Sequence, residues 1–210
     1  MLLIYGLAIA QMAIFVVVTY ALARAFGLAP RVIAFGSPPV LRVRRGSPEI
    51  RVGPLPTASV ELAGERVDQG QRVIYGNLSR AKRVAIVLAP WGVVLGIAVA
   101  CIGLEPALRS FVRGFGQLLF TVDLTPLVRR MIAIANDAPV VATGILMAKL
   151  AAANLLPFGG LAGGMLVTQL LTPPTRETPR PVTTFMMATL LAWMLWSLGR
   201  LASVAIQLAR

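Results

Sequence analysis

The sequence predicts an α-helical integral membrane protein with about four transmembrane helices and a small membrane-associated β-hairpin or sheet insert. Three observations lead to this fold class. First, 57% of the 210 residues are hydrophobic and only 13% are charged, which exceeds the apolar share of ordinary globular proteins. Second, several uncharged stretches approach the roughly 20 residues that a helix needs to cross a bilayer. Third, one polar region between them alternates apolar and charged residues, as a half-buried strand does.

The charged residues predict how such a protein lies in its membrane. The formal net charge is +12, and eleven Lys and Arg residues stand between Arg24 and Arg83. The segment 104–137 holds four, and the chain before Arg24 holds none. Because basic loops stay on the cytoplasmic side, we expect the first loop in the cytoplasm and both termini outside.

The same charges indicate the partners and the location. The basic loops would meet membrane lipids. No nucleic acid is expected as a partner, because the arginines do not cluster on one soluble domain. The frequent use of Ala, Leu and Arg suggests a bacterial chain, so we expect a multi-pass protein of the bacterial inner (cytoplasmic) membrane.

Apolar stretches predict the membrane helices in order. The first carries no charge before Arg24, whereas a secretory signal would begin with basic residues. The second follows a plausible N-cap at Ser79 and contains Pro90, which should kink it. Between the second and third, amphipathic pieces are expected to lie flat on the bilayer. The predicted segments are 1–26 (first transmembrane helix), 84–103 (second), 105–137 (interfacial amphipathic helices), 138–172 (a broken transmembrane helix) and 182–207 (the last).

The polar region 31–80 predicts the β insert. Its stretch "VLRVRRGSPEIRV" alternates apolar and charged residues around Gly-Ser-Pro at 46–48. Pairing Arg44 with Glu49 gives a hairpin with two different faces. The apolar face would hold Leu41, Val43, Ile50 and Val52, and the charged face Arg42, Arg44, Glu49 and Arg51. "ASVEL", with Pro54 and Pro56 before it, could add a third strand. We expect the sheet to lie on the membrane with its apolar face down; a soluble hairpin packed on its own loop is the alternative.

The stretch "NLLPFGGLAGG" (154–164) interrupts the third apolar region. It holds a proline and four glycines, which weaken a helix. It resembles the NxxPxxxLDGG segment of the site-2 protease family of intramembrane zinc metalloproteases. The matching residues are Asn154, Pro157, Leu161, Gly163 and Gly164. "ALARAFGLAPRVIAFGSPPVLRVRRG", "AKRVAIVLAPW" and "FVRGFGQLL" are similar to other stretches of that family and occur in its order. The resemblance implies a site-2 protease-like core.

The zinc-binding residues of that family are missing from this chain. The family carries HExxH, in which two histidines on one helical face hold zinc and the glutamate is the general base. The five aligned positions here are Phe15, Val16, Val17, Val18 and Thr19. The third ligand, the aspartate of LDGG, aligns with Ala162, and an asparagine common in the second span aligns with Val93. The chain contains no histidine, so the resemblance implies a pseudoprotease without catalytic residues, metal or cofactor.

Two explanations for the retained break stay open. The loop can line a groove that holds a segment of a partner or substrate-like chain without cutting it, since irregular backbone at membrane depth is tolerated when it lines a cavity. Alternatively, the break is inherited scaffold whose glycines only allow close packing. The predicted groove residues are Asn154, Pro157, Gly159, Gly160, Gly163 and Gly164.

Four residues in the apolar stretches also bear on function: a lysine, two tryptophans and the single cysteine. Lys149 is a candidate intramembrane polar site, because an ionisable residue in a span is usually functional; its side chain could instead reach the interface or bind free carbonyls of the broken helix. Trp193 and Trp196 are expected to face lipid or a neighbouring helix. Cys101 is the single cysteine, so no intrachain disulfide can form.

The residues and the resemblance together predict a catalytically inactive site-2 protease-like membrane protein. Its expected role is that of a structural or regulatory subunit that binds other membrane protein subunits. Two other functions stay open. An active intramembrane metalloprotease would need an unconventional site, and a transporter or channel subunit would need more intramembrane polar residues than this chain has.

Overall fold

The computed structural model describes residues 2–44, 48–63, 67–68, 71–72, 78–121, 123–158, 161–171 and 180–209. In this part of the chain there are seven helices and a small mixed sheet of four strands. The helices are α1 (Leu2–Ala25), α2 (Arg80–Ile102), α3 (Leu104–Leu119), α4 (Thr125–Asp137), α5 (Pro139–Asn154), α6 (Ala162–Leu171) and α7 (Arg180–Ala209). The strands are β1 (Ala29–Ser37), β2 (Leu41–Val43), β3 (Glu49–Val52) and β4 (Leu55–Ala63), with a separate two-stranded ladder of β5 (Val67–Asp68) and β6 (Gln71–Arg72).

The chain divides into two compact units. The first contains α1, the strands and α2 as far as Val93, and the second contains α2 from Val94 and the helices α3 to α7. The mostly helical class with a small β insert is therefore confirmed. Each unit is described separately below.

The lengths of the apolar helices bear on the predicted spans. Among the described residues, two helices are long and apolar enough to cross a membrane, over Arg80–Ile102 and Thr184–Gln207. Ile9–Ala25 and Pro139–Asn154 are apolar but shorter. The 16 residues of α5 rise about 24 Å, which is less than the roughly 30 Å of a bilayer's hydrocarbon core. Among the residues searched, the helices Arg80–Ile102 and Thr184–Gln207 thus meet the requirement by length and composition, which alone is weak evidence for a membrane protein.

In the first unit, α1 ends in a turn that depends on Gly27. This glycine has a φ of 81°, a left-handed conformation that residues with a Cβ rarely adopt. The N–H of Leu28 donates to the carbonyl of Ala23 at 2.8 Å, and that of Gly27 to the carbonyl of Arg24 at 3.0 Å. These two bonds form a Schellman motif, which turns the chain into β1 and buries Leu28. The surrounding core consists of Ala23, Leu78 and Ile86, with Leu22, Phe26 and Leu62 packed against it.

The hairpin of β2 and β3 has the predicted register. Val43 lies opposite Ile50 and Leu41 opposite Val52, which is the register set by pairing Arg44 with Glu49. The turn residues 45–47 lie outside the described residues. The four side chains of the predicted apolar face are 40–57% exposed. This face is therefore uncovered within the described chain.

The centre of the sheet is β1, a strand that the sequence does not predict. The strand order is β2-β3-β1-β4. β1 is parallel to β3, with Ile33 opposite Ile50, and antiparallel to β4, with Ile33 opposite Val60. Because β1 begins at Ala29, the predicted insert boundary at 31 is two residues late. The third strand begins at Leu55 and includes Pro56, which is tolerated because β4 lies at the edge of the sheet.

Two predicted helix boundaries have clear causes in the structure. α2 begins at Arg80, four residues before the predicted start of the second span, because the Ser79 side chain accepts the N–H of Lys82 at 3.4 Å and caps the helix. The predicted interruption between 138 and 172 is also present, since α5 ends at Asn154 and α6 begins at Ala162.

In the second unit, α3 packs lengthwise along α5. The Ser110 hydroxyl donates to the carbonyl of Ile145 at 3.4 Å, and Gly114 lies against the Lys149 backbone. The contacting positions rise together along both helices, so the two helices run in the same direction. α3 therefore runs parallel to α5, and the flat placement predicted for 105–137 stays a prediction.

Candidate functional site

The positions aligned with the zinc motif lie on α1 and are packed by apolar contacts. The Phe15 ring stacks on the Trp91 ring of α2, with centroids 5.7 Å apart. Val16 and Thr19 are buried, whereas Val17 is 64% exposed. Phe15 and Thr19 are four residues apart and share a helical face. That face is therefore the one turned toward Trp91.

This face contains two buried polar atoms without a hydrogen bond to any described residue. They are the Thr19 hydroxyl oxygen and the Trp91 indole nitrogen. An indole N–H only donates, and a neutral hydroxyl is a poor ligand for a divalent cation. Among the described residues, no group of three or more His, Cys, Asp or Glu side chains could hold a metal ion.

The broken-helix loop connects α5 to α6 and satisfies much of its own backbone. The N–H of Leu155 donates to the carbonyls of Ala151 and Ala152, both at 3.2 Å, and the N–H of Phe158 donates to Leu156 at 2.8 Å. Leu156 is fully buried. Local backbone hydrogen bonds thus close the described part of the segment, 155–158, into a tight turn.

Two glycines of the motif are required by this turn. A Cβ at Gly163 would lie 2.5 Å from the Leu156 carbonyl oxygen, and one at Gly164 would lie 2.6 Å from the Phe158 carbonyl carbon. No side chain fits between the first turn of α6 and these carbonyl groups. Packing within this chain therefore explains why positions 163 and 164 are both glycine.

Helix α7 contacts the same turn. The Phe158 ring lies against the Trp193 ring with centroids 5.5 Å apart. A Cβ at Gly164 would also approach the Met186 methyl group at 3.1 Å. Trp193 therefore faces a neighbouring part of the protein, one of the two surroundings predicted for it.

The other predicted groove residues have varied surroundings. The Asn154 amide nitrogen donates to the Leu150 carbonyl of its own helix at 3.0 Å. Pro157 is exposed, and Ala162, the position of the third zinc ligand, is buried. Gly159 and Gly160 lie outside the described residues. The groove stays a prediction.

Lys149 has a partner that the sequence does not indicate. Its ammonium group donates to the side-chain carbonyl of Gln117 on α3. Arg113 lies one helical turn before Gln117 on the same helix. The predicted contact with free carbonyls of the broken helix is not the one observed.

Arg200 is a buried cation that no motif in the sequence indicates. Its guanidinium donates to the carbonyls of Leu118 at 3.1 Å and Gln117 at 3.0 Å, near the C-terminal end of α3. Trp193 adds a bond from its indole N–H to Leu118 at 3.3 Å. Arg200 also lies over the Trp196 ring, 4.2 Å from its centroid. The only signal in the sequence is an arginine within the long apolar stretch of α7.

Two basic side chains of the second unit meet near the end of α3. Lys149 donates to the side-chain carbonyl of Gln117, and Arg200 donates to the backbone carbonyls of Gln117 and Leu118, so the acceptors of both are neutral carbonyl groups. The chain matches no family model, no curated protein and no solved structure. The resemblance to site-2 proteases therefore rests on the residues of this chain.

Proposed function

We propose that this chain is a multi-pass protein of the bacterial inner membrane with a degenerate site-2 protease-like core. It serves as a non-catalytic structural or regulatory subunit that binds other membrane proteins. The observation that carries the proposal is the packing of α1, where Phe15, the residue that the resemblance aligns with the first zinc ligand, stacks on Trp91.

The chemistry of these side chains supports the loss of catalysis. Intramembrane hydrolysis of this type needs three ligands to hold zinc and a base to deprotonate water. Phenylalanine, valine and alanine supply neither a ligand nor a base, and the whole sequence lacks histidine. A chain that keeps the surrounding scaffold without these groups is suited to binding.

A row of small residues on α2 supports a role in binding other membrane proteins. Gly92, Gly96 and Ala100 recur every four residues and are exposed. A Cβ at either glycine would meet nothing within 4 Å, so the two glycines pack against no described part of this chain. Small residues at this spacing let a second membrane helix approach closely, and α2 is one of the two helices long enough to cross a membrane.

Native purification tests the proposal. The tagged protein is extracted in mild detergent from its own membranes, and co-purifying chains are quantified by mass spectrometry. We expect one membrane protein at near-equal amounts, and we expect Gly96→Leu to reduce its recovery about tenfold at equal expression.

Gly199→Leu is the matched control, because Gly199 is an exposed helical glycine with nothing within 4 Å of an added Cβ. It should retain the partner. Absence of any stoichiometric partner would refute the subunit role. If Gly96→Leu and Gly199→Leu lower the recovery of the partner equally, α2 is not the binding surface.

A further inference from the structure

Two cations in the second unit lie close together without a carboxylate between them. Lys149 is half-buried and bonds only the neutral side chain of Gln117 among the described residues. Arg113 is exposed and lies one helical turn before Gln117, the residue that Lys149 bonds. The nearest acid along α3 is Glu105, which pairs with Arg109. Within the described chain, the repulsion between these cations is not offset by an anion.

An apolar groove lies beside this basic pair on α3. Leu104, Leu108 and Val112 stand four residues apart, so they form one row along the helix. They are 43–66% exposed and line a shallow groove together with the ion pair of Glu105 and Arg109, and with Arg113. The groove therefore leads from an apolar row to the cation of Arg113.

We propose that this groove binds one anionic phospholipid, with its phosphate between Arg113 and Lys149 and an acyl chain along Leu104, Leu108 and Val112. The inference rests on the proposed function only in placing the chain in a membrane. A phosphate diester offers acceptor oxygens to both cations through charge-assisted hydrogen bonds. It also cancels the repulsion between them.

Charge complementarity makes the site selective for anionic lipids. Phosphatidylcholine has the same phosphate and the same acyl chains, but its quaternary ammonium group restores a positive charge beside the pair. Phosphatidylglycerol leaves the phosphate charge uncompensated. A basic residue near an anionic lipid contributes about 1 kcal/mol, which corresponds to about a fivefold change in affinity.

The test is lipid retention by the full-length protein. Detergent-solubilised protein is incubated with mixed micelles of phosphatidylglycerol or phosphatidylcholine of equal chain length, and bound lipids are counted by native mass spectrometry. We expect the wild type to retain phosphatidylglycerol at least fivefold better. Arg113→Gln should lower this retention about fivefold, and Arg113→Lys should restore most of it. Val112→Asn should weaken retention of both lipids.

Arg129→Gln on α4 is the control, since Arg129 is an equally exposed arginine of the same unit and should leave retention unchanged. Equal losses for Arg113→Gln and Arg129→Gln, or equal retention of both lipids, would overturn the site. Alkaline carbonate extraction separates this failure from failure of the proposed function. If the protein leaves the membrane in carbonate, the membrane placement itself is wrong.

Discussion

At the scale of single residues, the glycines of α6 and those of α2 are glycine for different reasons. Gly163 and Gly164 lie against carbonyl groups of residues 155–158, so the turn between α5 and α6 cannot close around a larger residue. Gly92 and Gly96 have open space around them. Packing within this chain explains the first pair, whereas the second pair is available to a partner helix.

Substitution of these glycines should therefore have opposite effects on stability. We expect Gly163→Ala to destabilise the protein by about 3 kcal/mol or more, because overpacking against fixed backbone exceeds the usual range for flexible side chains. Gly96→Ala should stabilise it by about 0.5–1 kcal/mol, since alanine loses less conformational freedom in a helix. Thermal unfolding in detergent measures both. A Gly163→Ala protein as stable as wild type would show that the turn does not close in this way.

At the scale of elements, α3 and α4 have differently stabilised ends. The last carbonyls of a helix lack partners within it, and near the end of α3 Arg200 and Trp193 of α7 donate to those of Gln117 and Leu118. The start of α4 depends on a local group. Asp123 accepts the backbone N–H of Thr125 at 2.8 Å.

The hydrogen bond from the Thr125 backbone lowers the pKa of Asp123, and one with the Thr125 side chain adds to this. Because the pKa is lower in the folded state, the stabilisation of α4 is fully present above the unfolded pKa of about 3.9. It is lost as the pH falls through the folded pKa. We expect the exchange protection of the first-turn amides of α4 to fall between pH 5 and roughly pH 2.

Asp123→Asn should remove most of this pH dependence, whereas Asp137→Asn, at the other end of α4, should keep it. Hydrogen exchange followed by mass spectrometry measures both variants. A wild-type helix start whose protection does not change with pH would contradict the assigned role of Asp123.

At the scale of the whole molecule, the proposed descent from a metalloprotease makes a demanding prediction. If the aligned positions keep the arrangement that the resemblance implies, restoring the ligands should restore metal binding. The variant Phe15→His, Val16→Glu and Thr19→His restores the HExxH residues on α1 and should bind about one zinc ion per chain, measured by elemental analysis after dialysis. The wild type should bind none.

A control variant carries Val17→His in place of Phe15→His. Val17 is two residues from position 19 and points away from that face, so this variant should bind much less zinc. Equal zinc binding by both variants would argue against the resemblance. Stoichiometric zinc in the wild type would refute the pseudoprotease proposal and favour an active metalloprotease.

Several features of this protein follow from the sequence because short-range interactions control them. The register of the β2–β3 hairpin follows from the alternation of residues on both sides of one turn. The start of α2 follows from Ser79, whose side chain binds an amide three residues later. Proline and glycine predict the interruption before Ala162, and the missing histidines already exclude the family's zinc site.

Other features are decided only by the tertiary structure, because their partners are distant in the chain. β1 is the centre of the sheet through its pairing with β3 and β4, and no local turn indicates the parallel pair. Arg200 in isolation is a charge in an apolar helix, and it becomes a helix-capping group only when α7 meets carbonyls 82 and 83 positions earlier. Lys149 likewise gains its polar partner because Gly114 lets α3 approach α5 closely. Composition and local pattern place each helix along the chain, but long-range packing decides which polar groups meet.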